Sequence, residues 1–210
     1  MGREGHPREW APEEARNREY TKLEVEAALD AFRSLLFDLK DYAVYGSTAL
    51  YLYNAENPDT KLAGWPMPTD MDIAVGNANT LAAIRERLGN LSGIVTITDN
   101  GAIPDKVDGH YTLAGTIEVT VTEQGRARKV AFPFEIILQS RFVRHNSIVR
   151  ASMKHGLRCL AAEDMQHVYG QLANYGAHKQ KEGELNDKEA QKLPVRQQAI
   201  NNMRTRHVIE

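Results

Sequence analysis

The sequence has little of several features that would narrow its function. Its 210 residues include one cysteine, Cys159, which excludes an intramolecular disulfide framework and a cysteine-rich zinc site. No apolar run approaches the length of a membrane-spanning helix, and the first residues lack the apolar core of a secretory signal, so we expect a cytoplasmic protein with no membrane partner. The net charge is only −2, so a nucleic-acid partner would need a local basic patch.

The apolar content is sufficient for a folded core, at 42% of the residues. A capping-box pattern, Thr21 followed by Glu24, predicts the start of a helix that runs to about Lys40. The order of patterns predicts an α+β fold, in which a mixed sheet is flanked by helices and followed by a C-terminal helical extension. We expect an N-terminal arm over residues 1–20, a core over 21–160 and a helical region over 161–210.

Periodicity and turn residues predict the remaining elements. Asn79 is expected to cap a helix, Gln124-Gly125 to form a hairpin turn, and Gly156 to end a basic amphipathic helix. The expected strands are 43–45, 70–75, 93–98, 113–122, 129–138 and 157–160; the expected helices are one directly after Tyr45, then 80–88, 141–155, 163–177 and a last one from about 187, broken at Pro194.

Two short motifs carry most of the functional information. Gly46-Ser47 follows an apolar strand and opens a helix, where free N–H groups and the positive end of the helix dipole can hold a phosphate. Asp70 and Asp72 alternate with apolar residues, so their carboxylates lie on one face of a strand. Paired carboxylates are the ligands that Mg²⁺ favours, and together the motifs indicate the handling of a nucleoside triphosphate.

A third carboxylate would complete a catalytic metal site and help to deprotonate an attacking hydroxyl. Glu135 is the only charge in an apolar run, whereas Glu118 lies on a strand that alternates with threonine and whose polar side can face water. A charge within an apolar run needs a partner more than one on an alternating strand does. We therefore favour Glu135, with Glu118 as the alternative.

The order of these motifs resembles the nucleotidyltransferase-fold superfamily, the group related to DNA polymerase beta. Within it, the chain is most similar to small bacterial members: minimal nucleotidyltransferases, antibiotic nucleotidyltransferases and the toxins of abortive-infection systems. Residues 156–165 are also similar to the short strand and acidic helix start that follow the core in those families. The resemblance covers roughly residues 42–175.

The resemblance implies a role for each motif. Gly46 and Ser47 would hold the triphosphate of an NTP substrate, Asp70 and Asp72 would bind Mg²⁺ or Mn²⁺, and Glu135 would complete the metal site. The implied reaction moves a nucleoside monophosphate from the NTP to a hydroxyl acceptor. The sequence departs from the family in two respects: the third acid is a glutamate where aspartate is commoner, and residues 56–68 lengthen the gap between Ser47 and Asp70.

The acceptor is left open by the sequence. A run of basic residues without an acid is either a solvated helix face or a surface for nucleotide or RNA phosphates, and we slightly favour RNA or tRNA; the run comprises Arg141, Arg144, Arg150, Lys154 and Arg158. Trp65 either stacks on a base or packs on its own domain. A small-molecule acceptor, such as an antibiotic, and a non-catalytic nucleotide-binding module are the alternatives.

Overall fold

The computed structural model describes residues 18–56, 67–99, 112–138 and 143–181, together with Pro194 and Gln198. In chain order the described elements are α1 (Lys22–Leu36), β1 (Tyr42–Tyr45), α2 (Gly46–Glu56), β2 (Met71–Val75), α3 (Ala78–Gly89), β3 (Val95–Asp99), β4 (Thr112–Glu123), β5 (Arg126–Leu138), α4 (His145–Val149), β6 (Ser152–Lys154), β7 (Leu157–Cys159) and α5 (Ala162–Lys181). No helix among these residues is long and apolar enough to cross a membrane.

The described strands form one mixed sheet in the order β3-β4-β5-β2-β1-β7-β6. β4 and β5 form a long antiparallel hairpin, β2 runs parallel to β5, and β1 runs antiparallel to β2. β7 lies parallel to β1 on the far side and pairs with β6 as a second hairpin. The structure therefore has the mixed sheet and flanking helices of an α+β fold.

The two faces of the sheet differ in character. On one face α1 packs against β5, where the ring of Phe32 meets that of Phe134 edge-on at 5.9 Å between centroids. Side chains alternate between faces along a strand, so Asp72 and Glu135 lie on the opposite face, which we call the carboxylate face. The register of the strands is fixed by the apolar side chains that the α1 face buries.

Several local predictions are confirmed with small changes of boundary. The capping box is present, because Glu24 N–H donates to Thr21 Oγ1 and Thr21 N–H donates to Glu24 Oε2. Helix α1 ends at Leu36 rather than Lys40, since Phe37 is extended and Asp38 has a left-handed φ of 66°. Helix α3 is capped by Asn77 rather than Asn79, because the extended Asn77 accepts a hydrogen bond from the N–H of Thr80.

The predicted basic helix over residues 141–155 is wrong. Of residues 143–155, which the structure describes, only five form a helix, α4, and the β6–β7 hairpin follows it. His155 and Gly156 both have positive φ, at 47° and 83°, which is the conformation of a tight hairpin turn rather than of a helix end. A glycine after a polar stretch is compatible with a helix end and with a hairpin turn. The pairing of β6 with β7 shows that it is a hairpin turn.

Other predictions concern the single cysteine and residues outside the described ranges. Cys159 is a buried thiol on β7, as its apolar setting predicts. Four predicted features lie outside the described ranges: the N-terminal arm up to residue 17, most of the loop over 56–68 with Trp65, Arg141, and the last helix from residue 187. Of that last helix, the structure describes Pro194 and Gln198. The domain boundaries stay predictions.

Candidate functional site

The turn between β1 and α2 lies directly against one of the predicted aspartates. Gly46 follows the last residue of β1 without a loop, has a φ of +71° and is the first residue of α2. A Cβ added to Gly46 would lie 2.1 Å from Oδ2 of Asp72, so only glycine satisfies both the backbone angle and the close contact. The start of α2, whose first N–H groups have no partner within the helix, and the Asp72 carboxylate therefore belong to one site.

The same helical turn also contacts the other aspartate. The hydroxyl of Thr48 donates a hydrogen bond of 2.7 Å to the backbone carbonyl of Asp70. Thr48 is buried, whereas the Asp70 side chain is half-buried and directly precedes β2. The first turn of α2 thus reaches both Asp70 and Asp72.

Asp72 and Glu135 are neighbours across the sheet. They are register partners on the parallel strands β2 and β5, and both are half-buried. Adjacent strands lie about 4.8 Å apart, so the two carboxylates start from neighbouring points on the carboxylate face. Asp70 lies in a bend directly before β2, two residues from Asp72 along the chain. The structure therefore brings Asp72 and Glu135 side by side, with Asp70 close to Asp72 in the chain.

Glu118 lies elsewhere on the carboxylate face. Glu135 is paired with Ala114 on β4, and Glu118 is four residues further along that strand, a distance of about 13 Å. Its carboxylate forms an ion pair of 2.6 Å with Lys129 on the neighbouring strand; the Lys129 side chain is exposed, and that of Glu118 is 36% exposed. Glu118 is therefore distant from Asp72 and already has a cationic partner.

The donor set at Asp72 and Glu135 fits a hard divalent cation. Among the described residues, no three side chains of histidine, cysteine, aspartate or glutamate converge into a cage that could hold a metal ion. Mg²⁺ does not require such a cage, because proteins commonly hold it with one or two carboxylates while substrate phosphates and water supply the other oxygens. Asp72 and Glu135 offer such a pair beside a helix start suited to phosphate, with Asp70 close by along the chain.

Tyr20 borders this region and was missed by the sequence analysis. Its phenol donates a hydrogen bond of 2.8 Å to the carbonyl of Ala131 on β5, and its ring packs on Phe132 at 4.8 Å. Burial raises the pKa of Tyr20 to about 12; the Arg18 charge opposes this rise, and the negative charges of Glu24 and Asp70 add to it. A tyrosine directly before a helix cap gives no sequence signal for such a position.

Three of the basic residues predicted to bind RNA make contacts within the protein. Arg150 forms an ion pair of 2.5 Å with the nearly buried Asp164, which supplies from α5 the acid that the run lacks in sequence. A guanidinium nitrogen of Arg158 lies 3.4–3.5 Å from two backbone carbonyls of α4. The ammonium of Lys154 lies 4.7 Å from the ring centroid of Tyr53. Arg144 is exposed at the start of α4, and Arg141 is outside the described residues.

A groove of about 680 Å³ lies away from the carboxylates. It is lined mostly by apolar residues of α1, β4 and the segment between α3 and β3, and Asp70, Asp72 and Glu135 are not among its lining residues. Size alone therefore does not identify the candidate site. The candidate site residues are those at the start of α2, on β2 and β5, and Asp70 directly before β2.

Comparison with known proteins gives a fold likeness. No family model matches the chain, and no curated protein matches it. The structure of the Megavirus polyadenylate synthase is similar with a TM-score of 0.51 and 12% identity over 86% of this chain. This chain spans only 32% of that protein's length. At this identity the likeness shows a similar fold and nothing beyond the fold.

A second solved structure has a weaker likeness. JHP933 from Helicobacter pylori has a TM-score of 0.34 and 13% identity, over 94% of this chain and 96% of that one. A similarity of this size carries no argument about fold or function. The site residues of this chain are therefore interpreted from its own geometry.

Proposed function

We propose that the protein is a metal-dependent nucleotidyltransferase that moves a nucleoside monophosphate from an NTP to a hydroxyl acceptor and releases pyrophosphate. The observation that carries this proposal is the contact between Gly46 and Asp72, which joins a helix start to a carboxylate in register with Glu135. An anion-binding helix start and a pair of metal-holding carboxylates are the two parts that triphosphate chemistry needs. The likeness to a polyadenylate synthase supports the same class of reaction.

Each part of the site has a chemical task in this reaction. The backbone N–H groups at Gly46 and Ser47 would hold the phosphates that leave as pyrophosphate. Asp70, Asp72 and Glu135 would hold Mg²⁺ or Mn²⁺, which supplies Lewis-acid stabilisation of phosphoryl charge and a lower pKa for the acceptor hydroxyl. Glu135 would accept the hydroxyl proton while the acceptor oxygen bonds to the α-phosphorus and the bond to pyrophosphate breaks.

A labelling experiment tests the proposal directly. The protein is incubated with each α-labelled NTP, with Mg²⁺ or Mn²⁺, and with cellular RNA or a lysate; the Asp72→Asn variant is the control. We expect wild type alone to label an acceptor and release pyrophosphate, and chelation of the metal to stop both. NTP binding without pyrophosphate release, equal in wild type and Asp72→Asn, would instead identify a non-catalytic nucleotide-binding module.

RNA is the acceptor class that we propose. The likeness to a polyadenylate synthase favours an RNA hydroxyl. Among the described residues of the basic run, Arg144 is the exposed cation to which we assign no structural contact. Reversal of Arg150 is a poor test, because a glutamate there would face Asp164. Arg144→Glu is the cleaner variant, and Lys22→Glu on α1 is a matched charge reversal at another exposed residue.

The salt dependence of binding distinguishes the acceptor classes. If Arg144 contacts an RNA phosphate, Arg144→Glu should weaken RNA binding and reduce the slope of log K against log salt by about one. Lys22→Glu should leave that slope unchanged. Equal behaviour of both variants would remove Arg144 from the acceptor site, and activity on a small hydroxyl compound without any RNA labelling would identify a small-molecule acceptor.

A further inference from the structure

Thr48 makes a buried contact that the predicted site does not include. It is the third residue of α2, its side chain is 1% exposed, and its Oγ1 donates to the carbonyl of Asp70 at 2.7 Å. The register of β1 with β2 ends at Tyr45 and Asp72, so Asp70 lies beyond the last rung between these strands. Within the described residues, the Thr48 hydroxyl supplies the hydrogen bond that fixes the Asp70 backbone to α2.

A hydroxyl in this buried position has an energetic cost that its hydrogen bond offsets. Burying a hydroxyl without a partner is unfavourable, and a valine of nearly the same shape would fill the space without that cost. The same helical turn is in contact with Asp72 through Gly46. The first turn of α2 therefore fixes the backbone of Asp70 and limits where the side chain of Asp72 can lie.

We infer that Thr48 is a positioning residue that fixes the backbone of Asp70 next to Asp72 and Glu135, the carboxylate pair that would hold a divalent cation. The inference rests on the proposed function. It adds that the Thr48 hydroxyl joins the helix start that would hold the triphosphate to the segment that would hold the metal. Loss of the hydroxyl frees the Asp70 carbonyl, so the first residue of the metal site loses its fixed direction. Groups that orient a metal ligand commonly change metal affinity by roughly 10- to 100-fold.

The test compares Thr48→Val, Thr48→Ser and Thr98→Val. Thr98→Val is the control, because Thr98 Oγ1 also donates to a backbone carbonyl, that of Ala114 at 3.3 Å, from strand β3, which carries none of the three carboxylates. Mn²⁺ binding to each protein is titrated by the loss of free-ion signal in electron paramagnetic resonance. We expect Thr48→Val to bind Mn²⁺ roughly tenfold more weakly, with Thr48→Ser and Thr98→Val close to wild type.

Turnover gives a second readout that a general loss of stability would not produce. The kcat of Thr48→Val should be low at limiting Mn²⁺ and recover as Mn²⁺ is raised, while KM for NTP at saturating metal changes little. Circular dichroism confirms folding of each variant, and Thr48→Ala replaces Thr48→Val if the valine variant does not fold.

The outcomes separate this inference from the proposed function. Equal Mn²⁺ affinity in wild type and a folded Thr48→Val, with a metal-dependent wild-type enzyme, would overturn the role of Thr48 and leave the proposed function standing. Failure of wild type itself to bind Mn²⁺ or to turn over NTP would overturn the proposed function. An equal loss in Thr48→Ser and Thr48→Val would also contradict the inference, because serine keeps the hydroxyl.

Discussion

The two halves of strand β5 give the carboxylates on and beside them different surroundings. The inner half, residues 134–138, pairs with β4 on one side and with β2 on the other. The outer half, residues 126–133, pairs with β4 alone among the described strands, and the carbonyl of Ala131 accepts from Tyr20 instead. On the carboxylate face, the outer half exposes Ala127, Lys129 and Ala131, while Glu135 in the inner half is half-buried.

The difference shows that a second neighbouring strand determines what a charged side chain can do. Glu135 on β5 is in register with Asp72 on β2, so the two carboxylates are neighbours. Glu118 lies beside the outer half and forms an ion pair with the exposed Lys129, and such pairs contribute little to stability. Both glutamates occur on strands of the same hairpin, so their difference comes from tertiary position.

Replacement of an aspartate at β2 should have the largest effect on turnover. Asp72→Asn or Asp70→Asn should lower kcat/KM by roughly 10³-fold, because a metal ligand and its transition-state charge are lost. Circular dichroism should show a folded protein in both cases. Wild-type turnover by either variant would be incompatible with a metal site at β2.

Replacement of each glutamate by glutamine tests whether the two differ in function. Glu135→Gln should be about as damaging as the aspartate variants, near 10³-fold, since the amide neither carries the charge nor accepts the proton. Glu118→Gln in the outer half should change kcat/KM by less than about twofold, because it removes only an exposed ion pair. The opposite ranking in the turnover assay would move the third carboxylate to Glu118.

Two glycines with similar backbone angles provide the next test. Gly46 and Gly125 have φ values of +71° and +77°, but a Cβ at Gly125, in the hairpin turn of the outer half, meets no atom within 4 Å. Alanine at either position should lower the free energy of unfolding by about 1–2 kcal/mol. Only Gly46→Ala should also displace Asp72 and reduce turnover, by roughly 10²-fold.

Equal turnover in the two alanine variants would mean that the contact between Gly46 and Asp72 does not matter for catalysis. Urea unfolding of both proteins provides the stability control, because the strain of a positive φ should be similar in each. A Gly125→Ala protein that is as stable as wild type would show that the strain expected at this turn is relieved locally.

The smallest effect is expected from Glu24, which supports the outer half from the α1 face. Its buried carboxylate forms ion pairs with Arg18 and with Arg128 of the outer half. Burial acts to raise the pKa of Glu24, but hydrogen bonds from Thr21 and Arg128 and the charge of Arg18 outweigh it and hold the pKa below its ordinary value. Glu24→Gln should lower the free energy of unfolding at pH 7 by about 2 kcal/mol.

The sign of the pH dependence follows from the lowered pKa. The folded protein holds Glu24 ionised to lower pH than the unfolded chain does, so its contribution is fully present above the ordinary pKa of 4.5 and is lost as the pH falls through the folded value. Urea unfolding between pH 6 and pH 3 should therefore show a steeper fall for wild type than for Glu24→Gln. Parallel curves would contradict a stabilising role for the ionised carboxylate.

The sequence was sufficient where local chemistry decides the structure. The capping box at Thr21 and Glu24, the Gln124-Gly125 turn and the strand–glycine–helix order at Gly46 depend on residues close together in the chain. It failed over residues 141–155, because polar and basic residues with a following glycine suit both a helix and a hairpin. Pairing of β6 with β7 and the ion pair from Asp164 are contacts that no local pattern contains.

For the candidate site, the sequence by itself determined which residues could carry the chemistry: a helix start at Gly46, two aspartates separated by one residue, and a glutamate isolated among apolar residues. The predicted strand 70–75 begins one residue later, so Asp70 lies just before β2 rather than on it. Only the tertiary structure placed Glu135 in register with Asp72, kept Glu118 about 13 Å away along β4, and joined Thr48 to Asp70. The physical reason is that strand periodicity fixes the face of a side chain, whereas pairing between distant strands fixes its neighbours.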